Sequence, residues 1–173
     1  MISLFKKTYS PQERAIFRFL RKNELFSELT DKELSEFLPF MHLRNYKENE
    51  VVFFRGDPSQ ALYVVKKGII SLNIDVENQF EELMQVKTSS FFGDNSLLPN
   101  KYRIYHAVCV SESAQIYVLP RLNIVEVFES NLKIKSKMMT AMANYYNDYT
   151  SQLFTSYRES FGFFDLTKVF SKR

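Results

Sequence analysis

Apolar residues recur every three or four positions in two segments near the start of the chain, and each segment follows a capping box. The first box is Ser10–Glu13 (SPQE), which has proline at the first helical position, and the second is Thr30–Glu33 (TDKE). The apolar face after the first box comprises Ala15, Ile16, Phe19 and Leu20. We therefore predict a helix over residues 11–22 and a second helix that starts near residue 31 and ends at Pro39.

The period then changes to that of β-strands. Six short runs are rich in β-branched and aromatic residues and are separated by turn residues. They cover residues 51–54, 61–65, 69–76, 80–86, 104–110 and 114–119, and residues 42–46 and 90–92 would supply two more. In the run at 69–76 apolar and polar residues alternate, which predicts one buried and one exposed face. Short strands without helices between them predict an antiparallel sandwich or barrel.

The helical period returns after Pro120. We predict one helix over residues 121–130 and a longer one over 131–157, while the tail after Gly162 has no clear period. The longer helix carries a stripe at helical spacing, formed by Leu132, Lys135, Met138, Met139, Met142, Tyr145, Tyr146, Tyr149 and Leu153. Such a stripe is typical of a core face or a dimer seam.

Composition removes several classes of function. Lys and Arg number 23 against 20 Asp and Glu, and this net charge of +3 is too small to indicate a nucleic-acid partner. Cys109 is the only cysteine and His42 and His106 are the only histidines, which disfavours a disulfide and a metal centre. No segment approaches the roughly 20 apolar residues of a membrane span. We expect a cytoplasmic protein without a metal, a membrane partner or an enzymatic motif.

Three of the four glycines stand at strand boundaries, and these three lie in two ordered motifs. The first motif is Phe54–Asp57 (FRGD) followed by Leu62–Gly68 (LYVVKKG), and the second is Phe92–Leu98 (FGDNSLL) followed by Arg103. From about residue 25 to residue 153, the chain resembles the cyclic nucleotide-binding domain family of catabolite-activator-type regulators and kinase regulatory subunits. The resemblance implies a fold that is mainly β with flanking helices, an eight-stranded jelly-roll barrel followed by a long helix.

The predicted organisation follows from these segments. Residues 1–24 would form an N-terminal helical extension, residues 25–130 the β-barrel, residues 131–160 the long helix, and residues 161–173 a tail. The long helix would form the seam of a homodimer. Since only a short tail follows residue 157, we expect no direct DNA binding.

The second motif corresponds to the family's phosphate-binding cassette. Gly93 would turn the backbone into a short helix over residues 95–98, whose free N–H groups suit an anion, and Arg103 would offer two donors to a phosphate. Asp94 would accept from a ribose hydroxyl. By resemblance, the ligand is a 3′,5′-cyclic nucleotide, cAMP or cGMP, and no other cofactor is implied. The predicted contacts are Gly93, Asp94, Asn95, Ser96, Arg103, Ile104 and Tyr105, with Tyr145, Tyr146 and Tyr149 as possible stacking partners of the base.

The chain departs from the family pattern at this site. Asp94 stands where the family usually has glutamate, and the bulky Ile104 and Tyr105 stand where it usually has small residues. These two side chains could fill the pocket, and Arg103 could simply pair with Asp94 or Glu112. Three hypotheses therefore remain: a cyclic-nucleotide sensor, a degenerate barrel that acts as a dimerisation or interaction module, and a transcription regulator that lacks its own helix-turn-helix.

Overall fold

Eight antiparallel strands form two facing sheets in the computed structural model, which describes residues 8–77 and 79–162 of the chain. One sheet has the order β1-β8-β3-β6 and the other has the order β2-β7-β4-β5. The strands are β1 (His42–Lys47), β2 (Val51–Phe53), β3 (Ala61–Lys67), β4 (Ile70–Val76), β5 (Gln79–Val86), β6 (Phe91–Phe92), β7 (His106–Cys109) and β8 (Ser113–Pro120). The predicted jelly-roll barrel with flanking helices is confirmed.

The barrel core lies between the two sheets, because strands of both contribute side chains to it. Its members include Phe53, Val65, Ile70, Phe92 and Ile116. Cys109 is fully buried among them, as expected for a small apolar side chain.

The alternation predicted for β4 holds only in part. Ser71 and Asn73 belong to the predicted polar face, yet both are buried, and the Ser71 hydroxyl donates to Glu82 at 2.5 Å. At the other end of the strand, Val76 is exposed. The reason is that β7 pairs with β4 only between Ile70 and Asn73, so that, among the residues that the structure describes, no strand lies beside the outer half of the β4–β5 hairpin on that edge.

Four α-helices flank the barrel within the described residues: α1 (Pro11–Leu20), α2 (Asp31–Ser35), α3 (Arg121–Ser130) and α4 (Leu132–Phe161). Both capping boxes are confirmed, with the Glu13 N–H donating to the Ser10 hydroxyl at 3.2 Å and the Glu33 N–H donating to the Thr30 hydroxyl at 3.3 Å. Residues 1–7 of the predicted extension and 163–173 of the predicted tail lie outside the described residues.

The prediction that Pro39 ends the second helix is wrong. Helix α2 already ends at Ser35, and Pro39 lies in a separate 3-10 turn, Leu38–Phe40. The backbone tightens before the proline is reached, since the Glu36 and Phe37 N–H groups donate three residues back at 3.2 and 3.1 Å.

Helix α4 packs against the barrel through its first half. Ile134, Met138 and Met142 are buried in a second cluster, together with side chains of α1, α3 and the outer face of β3. Leu132 and Leu153, the two ends of the predicted stripe, are 70% and 53% exposed. None of the described helices is both long and apolar enough to cross a membrane.

Candidate ligand site between the barrel and the long helix

The predicted cassette is built on the end of β6. Gly93 follows that strand with φ 71° and ψ 21°, a left-handed conformation that favours glycine, and the 3-10 turn Asp94–Leu97 begins directly after it. A Cβ at Gly93 would lie 2.5 Å from Nη1 of Arg103. Backbone conformation and the close guanidinium therefore both require a glycine here.

Arg103 is directed into the protein. It is only 3% exposed, and its Nη1 and Nη2 donate to the carbonyl oxygens of Gly93 at 3.1 Å and Ala61 at 2.8 Å. The guanidinium carbon lies 4.2 Å from the centre of the Phe53 ring and 5.3 Å from that of Tyr63. Burial lowers the pKa of Arg103 from its ordinary value, although the guanidinium stays charged.

These contacts answer one question that the sequence left open. Neither Asp94 nor Glu112 forms an ion pair with Arg103, because both terminal nitrogens donate to main-chain oxygens. Nε of Arg103 has no hydrogen-bond partner among the described residues.

Tyr105 fills the space beside the cassette. The Gly93 N–H donates to its hydroxyl oxygen at 3.0 Å, and its ring centre lies 5.8 Å from that of Phe53. Burial, reinforced by the charge of Asp94, raises the pKa of Tyr105, so the phenol is neutral at physiological pH. Its neighbour Ile104 is 66% exposed. Of the two bulky residues, Tyr105 is therefore the one that is hydrogen-bonded to the cassette.

The Asp94 carboxylate meets the long helix. It accepts a hydrogen bond from the hydroxyl of Tyr146, which is the position predicted for a ribose hydroxyl. Burial is the main cause, and the Asp94 charge the second, of a raised pKa at Tyr146 and at Tyr145, where the pKa reaches about 12. One carboxylate thus influences two tyrosines of α4.

The two other cassette residues serve the loop itself. Asn95 accepts from the Ser59 hydroxyl at 2.6 Å and donates to the carbonyl of Tyr102 at 2.8 Å. Ser96 is fully buried, and its hydroxyl has no hydrogen-bond partner among the described residues.

A cavity of about 130 Å³ lies between the cassette, the barrel and α4. Asp94, Asn95, Ile104 and Tyr105 line it, and so do all three predicted stacking residues of α4. Arg103 does not line it, because Tyr105 lies on the cavity side. Pattern reasoning missed the apolar part of this lining, which consists of Leu72, Leu83, Met84, Val86 and Phe91.

The tyrosines of α4 already stack with one another. The Tyr145 ring centre lies 4.7 Å from that of Phe91 and 6.3 Å from that of Tyr149, with the two tyrosine rings inclined by only 20°. Their aromatic faces are therefore gathered at one wall of the cavity.

His106 contacts residues outside the cassette. Its Nε2 lies 2.8 Å from a carboxylate oxygen of Asp75, and its Nδ1 accepts from the Arg55 N–H at 3.2 Å. This arrangement joins β4, β7 and the turn after β2. Within residues 8–77 and 79–162, no group of three or more His, Cys, Asp or Glu residues forms a metal site.

The family model and the related sequences that match this chain agree on one family. The model of the cyclic nucleotide-binding domain matches residues 43–131, just over half of the chain. The cyclic AMP receptor protein of Thermus thermophilus is 30% identical over 95 residues, which are 54% of this chain and 44% of that protein. A cGMP-dependent protein kinase of Caenorhabditis briggsae is 23% identical over 108 residues, which are 61% of this chain and 14% of the kinase.

Solved structures agree with the fold. The N-terminal domain of a transcriptional regulator from Streptomyces coelicolor superposes with a TM-score of 0.69 at 21% identity, covering 78% of this chain and 94% of that one. The chain spans between 14% and 44% of the length of five curated relatives, so their complete activities are not transferred. The fold, the ordered motifs and the family match together place this chain in the cyclic nucleotide-binding domain family.

Proposed function

We propose that this chain is a regulatory domain in which a small ligand, bound between the barrel and α4, sets the position of α4. The observation that carries the proposal is the hydrogen bond from Tyr146 of α4 to Asp94 of the cassette. A ligand hydroxyl that binds the same carboxylate oxygen of Asp94, Oδ2, has to replace Tyr146. The ligand and the helix therefore compete for one carboxylate, and the ligand favours the helix position in which Asp94 is free.

The ligand class that we propose is a 3′,5′-cyclic nucleotide. The family match supports it, as does the likeness to a protein named for cyclic AMP reception. The cassette also offers suitable groups, namely the Gly93 N–H, the Asp94 carboxylate and the buried guanidinium of Arg103. Since Tyr105 and two carbonyls now engage these donors, binding requires a local rearrangement.

Isothermal titration with cAMP and with cGMP tests this proposal. We expect measurable heat with at least one nucleotide and a higher melting temperature of the complex. Asp94→Asn keeps the side-chain size but removes the charge, and we expect it to weaken binding by about tenfold or more, in keeping with the strength of charged hydrogen bonds. Glu112→Gln, an exposed neutralisation in the turn before β8, is the matched control. Absence of heat and of thermal shift at millimolar nucleotide would reject the proposal.

A second candidate function is a closed barrel that acts without a ligand as an interaction module. The hydrogen bond between Gly93 and Tyr105 favours it, because the Gly93 N–H is already satisfied by a side chain of the protein itself. This candidate predicts no nucleotide binding by the wild-type chain together with self-association or partner binding through α4.

We also propose that a second copy of the chain covers the outer half of α4. Tyr149 and Leu153 lie four residues apart on this helix and are 44% and 53% exposed. Apolar residues at this spacing form the seam between paired helices. The dimer is compatible with either candidate function.

A further inference from the structure

We propose that Tyr105 determines which ligands this cassette admits: its phenol oxygen holds the Gly93 N–H that a phosphate oxygen would need, so an anion enters only when Tyr105 leaves. The inference rests on the proposed cyclic-nucleotide function and names the residue that regulates it. Family membership does not predict this role, because the family usually has a small side chain near this position.

The first step of the argument concerns the donors. The cassette would bind a phosphate through the Gly93 N–H and the terminal nitrogens of Arg103. In this structure each of these groups donates a hydrogen bond to an oxygen atom of the protein. Gly93 donates to Tyr105 at 3.0 Å, and Arg103 donates to the carbonyls of Gly93 and Ala61 at 3.1 and 2.8 Å. While Tyr105 stays in place, the Gly93 N–H is therefore not available to a phosphate, and Nε of Arg103, which has no partner among the described residues, is buried.

The second step concerns position. Tyr105 lines the cavity and Arg103 does not, although both side chains contact the Phe53 ring. The phenol ring consequently separates the cavity from the guanidinium. A ligand in the cavity meets tyrosine rings and the Asp94 carboxylate before it meets a cation.

The third step concerns charge. The phenol of Tyr105 is neutral and accepts one hydrogen bond, whereas a phosphate would bring a negative charge beside the buried guanidinium. Charged hydrogen bonds are about twice as strong as neutral ones. A phosphate can therefore replace the phenol in energetic terms, but it has to displace a well-packed ring first, which lowers its apparent affinity.

Titration of the wild type and of Tyr105→Ala with cAMP and with cGMP measures how Tyr105 affects the affinity for each nucleotide. We expect Tyr105→Ala to bind the better nucleotide at least about tenfold more tightly than the wild type, a change of about 1.4 kcal/mol. Tyr102→Phe is the matched control, because Tyr102 lies in the same loop and is 63% exposed. Tight binding by Tyr105→Ala alone would support the inference and reject nucleotide sensing by the wild type. Equal affinity of both proteins would overturn the inference and leave the proposed function standing, whereas binding by neither would overturn both.

A second measurement needs no nucleotide and a smaller change. Tyr105→Phe keeps the ring and removes only the hydroxyl, so its fold is preserved. We expect the Gly93 amide to exchange with solvent deuterium at least about tenfold faster in this variant, since its acceptor is gone. Tyr102→Phe should leave that exchange rate unchanged. Equal Gly93 exchange in Tyr105→Phe and the wild type would overturn the inference whatever the titrations give.

Discussion

At the residue scale, Arg103 has a structural role in the site, because both of its terminal nitrogens donate to main-chain oxygens. A buried cation costs free energy unless it is paired or hydrogen-bonded. Here two carbonyl oxygens and the faces of two aromatic rings compensate for that cost. Arg103 therefore links the cassette glycine to β3, and its removal would disturb the fold as well as any binding.

We expect Arg103→Met to lower the free energy of unfolding by about 3–6 kcal/mol, because two hydrogen bonds from a charged donor are lost, at about 1.5–3 kcal/mol each. Urea denaturation followed by circular dichroism measures the change. Arg55→Met is the control. The Arg55 side chain is half exposed and its ion pair with Asp75 is long, at 3.8 Å, so we expect the free energy of unfolding to change by only about 0–1 kcal/mol. A variant of wild-type stability would mean that the two hydrogen bonds do not persist in solution.

This expectation also affects binding experiments. Loss of nucleotide binding after substitution of Arg103 would not separate a lost phosphate contact from a disturbed cassette. Asp94→Asn and Tyr105→Phe are more informative, because both retain the volume of the side chain that they replace.

At the element scale, α4 is anchored at two points. Near its start, Lys137 donates to both carboxylate oxygens of Glu33 in α2, at 3.0 and 2.7 Å. Further along, Tyr146 donates to Asp94 of the cassette. The first anchor ties the helix to the N-terminal helices, and the second ties it to the candidate site.

Tyr146→Phe removes the second anchor and keeps the ring. We expect faster amide exchange in peptides that cover residues 142–157, with little change around Met138, because only the contact with Asp94 is lost. Hydrogen–deuterium exchange with mass spectrometry checks this. Tyr149→Phe is the control, as Tyr149 is 44% exposed on the same helix. Unchanged exchange in both variants would argue against coupling between the cassette and α4.

The ion pair between Lys137 and Glu33 makes the free energy of unfolding depend on pH. Burial alone would raise the pKa of Glu33, but the hydrogen bonds from Lys137 and Thr30 outweigh it, and the pKa is lowered from its ordinary value. A carboxylate with a lowered pKa stabilises the fold above its unfolded pKa of roughly 4.3, and this contribution is lost as the pH falls through the folded pKa.

We therefore expect Lys137→Met to be less stable than the wild type at pH 7, with a difference in stability that narrows as the pH falls through the lowered folded pKa of Glu33, below which both proteins carry a protonated Glu33. Chemical denaturation at a series of pH values measures the difference. Lys135→Met, an exposed change on the same helix, should show no such narrowing. A difference that is constant with pH would exclude the ion pair as its cause.

At the scale of the whole molecule, the outer half of α4 connects the domain to its surroundings. The inner half is buried against the barrel through Ile134, Met138 and Met142, whereas Leu153 is largely exposed and Tyr149, at the cavity wall, is partly exposed. A ligand that moves α4 would therefore change the presentation of this outer surface. The cavity and the proposed dimer seam thus lie on the same helix.

We expect the chain to sediment as a dimer at micromolar concentration and Leu153→Glu to sediment as a monomer, because a charge in an apolar seam is costly to bury. Analytical ultracentrifugation checks this. Gln152→Glu introduces the same charge one position away, at another exposed residue, and should leave the dimer intact. A monomeric wild type would contradict the proposed seam.

Local pattern sufficed for most of the fold. The two capping boxes located the starts of α1 and α2, and the change of period separated the barrel from the helices. Helix α3 lies where it was predicted, and the ordered glycine motifs identified the family. These features are readable because hydrogen bonding and burial repeat along the chain with the period of each element.

The sequence also allowed the cassette residues to be predicted as a group, but it did not predict their hydrogen-bond partners. Arg103 donates to a carbonyl 42 residues away, and Tyr146 reaches Asp94 across 52 residues. Tyr105 was recognised as bulky, yet only the fold placed its hydroxyl on the Gly93 N–H. By itself, the sequence determined the order of strands and helices and the family. The tertiary structure decided where the side chains point, because each rotamer depends on neighbours that only folding brings together.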